Sequence, residues 1–320
     1  MKYLRVPQND TNPNGLEGYA VLHEGAAIVD RPERRLLRLT GKDPVGMLNA
    51  VLTNDVPTQV NRGAYALLLN PKGRVQTDLR AVKVAEEILI DTDPEGFEAA
   101  KEILGRYAPF SRVKLEELFD WKVLGLYGPR ASDLLEKPDL EEHETKKAEI
   151  GGVSVLIVGV SVPVGGYDLI GPSEALGAVR ERLIGLGAIL ADHNAYETAR
   201  IAAGVPRFGA DITPENFPGE SEDMLERAVS FEKGCYPGQE TVARMHYRGH
   251  PNKELHRFAV EGTPPAPGTP ISQNGRQVGK ATSVAPLPVD GRYLALGYLS
   301  RNADKQGVLQ AGEATLRSLA

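Results

Sequence analysis

The chain has 320 residues, of which 41% are hydrophobic and 25% charged, with a formal net charge of −6. That length exceeds what one hydrophobic core usually serves, so two or three soluble globular domains are expected. A single cysteine excludes an intrachain disulfide and any multi-thiolate zinc or iron–sulfur site held by this chain alone. No stretch approaches 18 uncharged apolar residues, which excludes a helical membrane span.

Residues 1–18 read as an N-terminal leader. The first 30 residues lack both the apolar core of a signal peptide and the Arg/Ser-rich pattern of a transit peptide, so the cytoplasm is the expected location. Asp43-Pro44 sets an N-cap before a proline at the first helical position, and Val45, Leu48 and Val51 follow at helical spacing. AYALLLN (64–70), RVQTDLRAVKVA (74–85) and EILID (87–91) carry strand signals, with Pro71-Lys72-Gly73 a hairpin turn between the first two. Asp93-Pro94 repeats the capping device before Phe97, Ala100 and Leu104. WKVLGLYG (121–128) and VSVLIVGV (153–160) are further strands, the second opening a glycine-rich hairpin. Ser173 opens a helix ending near Gly185 or Gly187, and Asp192 caps HNAYETARIAA. Strands beside strands with irregularly placed helices predict an α+β fold with antiparallel sheets.

Beyond about residue 250 the texture changes. HRFAVEG, TPISQNGRQVGKATSVA, RYLALGYL and GVLQAG are short strands between Gly/Pro turns, with no helix readable except at the last residues. Residues 251–320 are therefore expected to form an all-β domain, a barrel or a sandwich, and 19–250 the α+β region. From Arg244 onward ten Lys/Arg face five Asp/Glu, giving +5 there and −11 over residues 1–243. The basic part could draw a polyanion such as RNA, although the acidic total is unlike that of nucleic-acid binders.

Several motifs are absent or broken. TGKD (40–43) lacks the glycine loop of a P-loop, and no GxGxxG follows a strand. His246 and His250 are four apart, but Gly249 and Pro251 interrupt the helix that would align them on a metal, so no metal site is expected.

Two stretches carry chemistry. KGCYPGQE (233–240) presents the lone thiol, Cys235, on a Gly/Pro turn beside Lys233, with Gln239, Glu240 and Arg244 nearby. An ammonium and free turn amides favour a thiolate and suit a reactive cysteine; the same residues equally suit a half-buried cysteine at a domain junction. Lys233, Arg244 and Arg248 together fit an anion. In NPKGRVQTD (70–78) a tight turn leads to Asp78. Facing inward, that carboxyl would have a raised pKa and could hold a proton or take one from an amine; facing outward, it is an ordinary surface aspartate.

These stretches, with ETARIAAGVPRFGADITPENFPGE, RGHPNK and GRQVGKATSVA, give the chain a resemblance to YgfZ-type folate-binding proteins over about residues 20–315. These are relatives of the glycine cleavage T-protein (aminomethyltransferase). KGCYPGQE matches the signature K-G-C-[YF]-x-G-Q-E. The resemblance implies a three-domain cloverleaf around a central tetrahydrofolate channel, closed by a C-terminal barrel. It implies a folate-binding accessory protein that supports assembly or repair of iron–sulfur proteins, with an indirect effect on tRNA modification. A folate-dependent aminomethyl or other one-carbon transferase is the alternative.

By the same likeness Asn70, Gly73 and Asp78 match the T-protein pattern N-x-x-G-G-x-x-D-D-L, which makes Asp78 a folate contact and, with Cys235, a candidate catalytic residue. Lys233, Tyr236, Gln239, Glu240 and Arg244 join the binding set. The T-protein's R-L-E-A-G becomes RIAAG: Arg200 and Gly204 remain, Ala202 replaces the pterin-gripping glutamate, and Glu197 one turn earlier is the carboxylate that could substitute. The one-carbon reading further expects Asp78 and Cys235 to face one pteridine-sized hollow.

Overall fold

The structure, a computed structural model, describes residues 13–319. Residues 1–12 of the expected leader lie outside the described residues. The chain runs through α1 (Pro13–Glu24), β1 (Ala27–Arg31), β2 (Arg35–Gly41) and α2 (Pro44–Val51). Next come β3 (Gly63–Leu69), β4 (Val75–Val84), β5 (Glu87–Thr92), α3 (Pro94–Tyr107) and β6 (Val113–Glu117). A second group holds β7 (Trp121–Tyr127), β8 (Thr145–Ile150), β9 (Val153–Val160), β10 (Gly166–Pro172), α4 (Ser173–Gly185) and β11 (Ile189–Leu190). Three helices follow, α5 (His193–Ala202), α6 (Glu222–Ala228) and α7 (Gln239–Arg248). The last strands are β12 (Lys253–Glu261), β13 (Pro270–Gln273), β14 (Arg276–Val284), β15 (Tyr293–Ser300), β16 (Leu309–Ala311) and β17 (Ala314–Leu319).

The fold is α+β, with two mainly antiparallel sheets and a closed barrel. One sheet has the order β3-β4-β5-β2-β6, the other β11-β1-β7-β10-β9-β8, and β12-β15-β14-β13-β16-β17 close on themselves. Successive strands β1 and β2 belong to different sheets, so residues 32–34 cross between them. Where the sequence left room for a terminal helix, the chain instead ends in β17, whose pairing with β12 closes the barrel and removes its edges.

Local chemistry accounts for most helix ends. The Asp43 carboxylate accepts from the Gly46 amide at 2.8 Å, and Asp192 accepts from Ala195 at 2.8 Å. Asp93 opens α3 but leaves its helix uncapped, because its carboxylate takes the Arg34 guanidinium at 2.9 Å. Helix α7 buries Val242 alone.

Helices α2 and α3 cover the outer face of the first sheet through Val45, Leu48, Phe97 and Leu104 against Leu79, Ala81 and Ile90. Helix α4 covers the second sheet with Leu176, Val179 and Leu183. The inner faces meet through Leu36, Val82, Val84 and Leu89 on one side and Val123, Leu156, Val158 and Ile170 on the other. Strand side chains alternate between faces, so Asp78, Arg80, Val82 and Val84 of β4 all point into this inter-sheet layer. The layer is apolar toward Val84 and charged toward Asp78. The charged end is where the cavity opens.

Candidate functional site

Asp78, Arg80, Asp91, Asp93, Arg34, Tyr127 and Asp168 line a cavity of about 130 Å³, together with residues of α5 and of the segment after it. A second chamber of about 570 Å³ adjoins it, bounded by Pro32, Pro94, Leu190 and Asp192. Glu33, Asp93, His193 and Arg207 line both, and the pair falls within the ~300–1,000 Å³ usual for small-molecule sites.

The inner wall is a network of buried charges. Arg80 stands opposite Asp91 in the β4–β5 register and binds it at 2.7 Å, while its guanidinium reaches Asp168 of the other sheet at 2.7 Å. Arg34 pairs with Asp91 and Asp93. Tyr127 donates to Asp168 at 2.5 Å, and Arg31 donates to the Tyr196 hydroxyl at 2.7 Å. Each charge thus meets an opposite one, the condition for holding ions away from water.

Asp78 is the exception. It is 7% exposed. Tyr65 donates to its Oδ2 at 2.6 Å, but Oδ1 is buried with no partner. Burial, then the charge of Asp93, push its pKa up to about 6 against the opposing pull of Tyr65 and Arg34. For Asp91 burial acts in the same direction, yet Arg34 and Arg80 overcome it and hold the carboxyl at about 2. Two carboxyls on neighbouring strands therefore differ in charge state near pH 5, set by their partners alone.

Across the cavity, Glu197 on α5 accepts from Arg200 at 3.1 Å and 3.2 Å and lies 3.5 Å from Arg207. Arg200 lines the cavity, but its guanidinium also binds the Val205 carbonyl, Asp211 at 2.8 Å and Ser283 of β14 at 3.0 Å. With all five of its donors taken, its work is to hold Glu197 in place and tie α5 to the barrel. Ala202 lies outside the cavity lining and gives its carbonyl to Arg257 of the barrel.

The KGCYPGQE turn sits elsewhere. Cys235 is exposed, and neither it nor any other residue of the turn is among those lining the two chambers. Lys233 donates to the carbonyls of Asn49 and Leu52 at 2.8 Å each, satisfying the free end of α2. Tyr236 is buried in a core with Leu67, Leu69, Val75 and Val242, and burial lifts its hydroxyl to about 12. Gln239 and Glu240 begin α7, and Arg244 is exposed on it. Asn70 accepts from the amides of Lys72 and Arg74, shaping the β3–β4 hairpin.

The two motif stretches do meet, but backbone to backbone. Gly238 has φ +82°, and a Cβ there would stand 2.6 Å from the Asn70 carbonyl oxygen and 2.7 Å from the Gly73 Cα. Gly238→Ala is expected to lower stability by about 2–4 kcal/mol, from left-handed strain plus the backbone clash, read as a fall in urea midpoint. An unchanged midpoint would mean the hairpin and turn are not in contact.

Thus the structure brings Asp78, Glu197 and Arg200 to one cavity and leaves Cys235, Lys233, Tyr236, Gln239, Glu240, Arg244 and Asn70 outside it. Arg34, Tyr65, Arg80, Asp91, His143, Asp168 and Arg227 line the same cavity. Sequence reading missed them; for Arg80, Asp91 and Asp168 the one signal was charge placed inside otherwise apolar strands, as in DLRAV and ILIDTD.

The GCVT N-terminal domain family matches residues 8–233. An uncharacterized protein of Haemophilus influenzae is 30% identical, over 81% of this chain and 85% of its own length. A "tRNA-modifying protein YgfZ" of Yersinia pestis is 27% identical, covering 92% of this chain and 90% of its own. A chloroplastic putative transferase of Arabidopsis thaliana is 24% identical over 92% of this chain and 70% of its own. In fold, the chain superposes on the glycine cleavage system aminomethyltransferase T of Bartonella henselae with a TM-score of 0.80 at 19% identity, over 95% of this chain and 87% of that one. The chain therefore belongs to the GCVT family, in which it is of the YgfZ type.

Proposed function

We propose that this protein binds tetrahydrofolate between its two sheets and acts as an accessory factor for iron–sulfur proteins, among them enzymes that modify tRNA. One observation carries the folate part. Asp78, whose Oδ1 is buried without a partner, and Glu197 line one cavity that continues into a larger chamber. The aminopyrimidine edge of a pterin offers N–H donors, which is what buried carboxylate oxygens need. Arg207, common to both chambers, supplies a cation toward the anionic tail. Glu197 takes the part of the carboxylate missing at Ala202. When bound, the folate would supply a one-carbon carrier; the chain's own residues orient it and shield it from water.

The exposure of Cys235 beyond the cavity favours a role in partner contact or redox exchange with a client protein. The name tRNA-modifying, borne by the Yersinia relative, supports the tRNA link, as does the basic stretch from Arg244 onward for a direct RNA contact. Tetrahydrofolate at a hundredfold excess over Kd should raise stability by ~2.7 kcal/mol, seen as a higher Tm. No shift at millimolar ligand would overturn the folate part. Cys235→Ser should keep that shift yet fail to restore iron–sulfur enzyme activity in cells lacking the protein; full restoration would remove the thiol from the role.

The transferase reading retains one supporting observation, a Tyr65–Asp78 pair whose carboxyl titrates near 6 and could exchange a proton with an amine. It requires methylene-tetrahydrofolate to form from an aminomethyl donor, and none forming under any donor would exclude it.

A further inference from the structure

We propose that His143 is a ligand-contacting residue of this cavity, hydrogen-bonding the bound pterin through Nδ1; the inference rests on the folate reading above. His143 belongs to none of the motifs that carry the family resemblance, and its place in the cavity and its unpartnered ring nitrogen single it out. It lines the cavity with Asp78 and Arg227. Its Nδ1 is buried with no hydrogen-bond partner, and Nε2 stands 3.8 Å from Glu142, beyond hydrogen-bond reach.

The backbone is also bent to put it there. His143 has φ +63°, a left-handed conformation that a residue with a Cβ adopts at a cost. The loop is pressed onto β9, where the His143 amide donates to the Gly159 carbonyl at 2.8 Å. A Cβ on Gly159 would stand 2.2 Å from the Glu141 carbonyl oxygen, so only glycine lets the loop lie so close. Glu136, Lys137 and Asp139 of the same stretch also have positive φ, so what sets His143 apart is a cavity-lining ring with a buried nitrogen that bonds nothing in the protein.

The ring's surroundings define what it offers. Burial, then Arg80 and Arg227, hold its pKa at about 3, so the imidazole is neutral at physiological pH. A neutral ring presents one donor and one acceptor, and the ligand selects the tautomer. In the same cavity as Asp78, whose carboxylate can only accept when ionised, His143 adds a second polar contact of either sense. Together they would read two positions of a flat heterocycle.

His143→Asn tests this, because asparagine tolerates the left-handed backbone while removing the imidazole. We expect tetrahydrofolate affinity, measured by anaerobic calorimetry, to fall at least tenfold with Tm unchanged within about 2 °C, since asparagine keeps the backbone conformation. Wild-type affinity in this variant, with Asp78→Asn binding weakly, would overturn the His143 assignment and leave the folate reading standing. No binding by the wild type would overturn both. Should His143→Asn fail to fold, the imidazole ¹⁵N shifts of His143 in the wild type decide: they must move on adding tetrahydrofolate, and shifts that stay put overturn the contact.

Discussion

Asp78→Asn is expected to weaken tetrahydrofolate binding by at least tenfold and, above pH 6, to make the protein more stable. The first effect follows from losing a charge-assisted hydrogen bond, ~1.5–3 kcal/mol for contacts to an ionised group. The second follows from the raised pKa. The unfolded carboxyl titrates near its ordinary 3.8 and the folded one at about 6, so between those values the folded state holds the extra proton. As pH rises through this window, the fold acquires a buried charge and loses stability, amounting to about 2–3 kcal/mol above pH 6. Asparagine still accepts from Tyr65 and carries no charge. Urea titrations at pH 4 and pH 8 should therefore give similar stabilities for variant and wild type at pH 4 and a more stable variant at pH 8. Equal stabilities at both would mean that the Asp78 carboxylate is solvated. Opposed effects on stability and binding are what a site selected for a ligand, at the expense of the fold, would give.

Asp91→Asn should act in the opposite sense, lowering stability by about 3–5 kcal/mol at neutral pH with loss of the native urea midpoint. Asp91 is 2% exposed and pairs with both Arg34 and Arg80. Neutralising it leaves two buried guanidiniums sharing Asp93 and Asp168. Its pKa is depressed to about 2, so its contribution is complete above the unfolded value of 3.8 and is lost as pH falls through 2. The gap between wild type and variant should close over that interval. A variant as stable as wild type at pH 7 would mean that Arg80 is held by Asp168 alone and that the two sheets do not depend on Asp91.

The elements were legible because their signals are local. Asp43-Pro44 and Asp192 mark helix starts by their own side-chain bonds, and the Gly/Pro rhythm after residue 250 marks an all-β domain. Helix α7 was not read from the sequence, since it follows directly on the Gly/Pro turn and buries only Val242. Nor was the partner of Asp93 readable, because a carboxylate beside a helix start is normally its cap, and here Arg34, from the crossover between β1 and β2, outcompetes the amide.

The candidate site divides in the same way. Asp78 and Glu197 were identified in the sequence, one by its turn and strand, the other by its place relative to a missing carboxylate. Composition and short-range spacing decided the α+β class, the all-β character of the last domain, and the two stretches that carry the family likeness. Only the tertiary structure decided that Asp78 faces inward. Both faces of β4 are buried, one under α2 and α3 and the other against the second sheet, so alternation alone does not distinguish them. It also decided that Cys235 lies outside the cavity and that Arg80, Asp91, His143 and Asp168 meet within it. Charges distant in sequence find one another through strand register and sheet packing, and neither is encoded in any short run of residues.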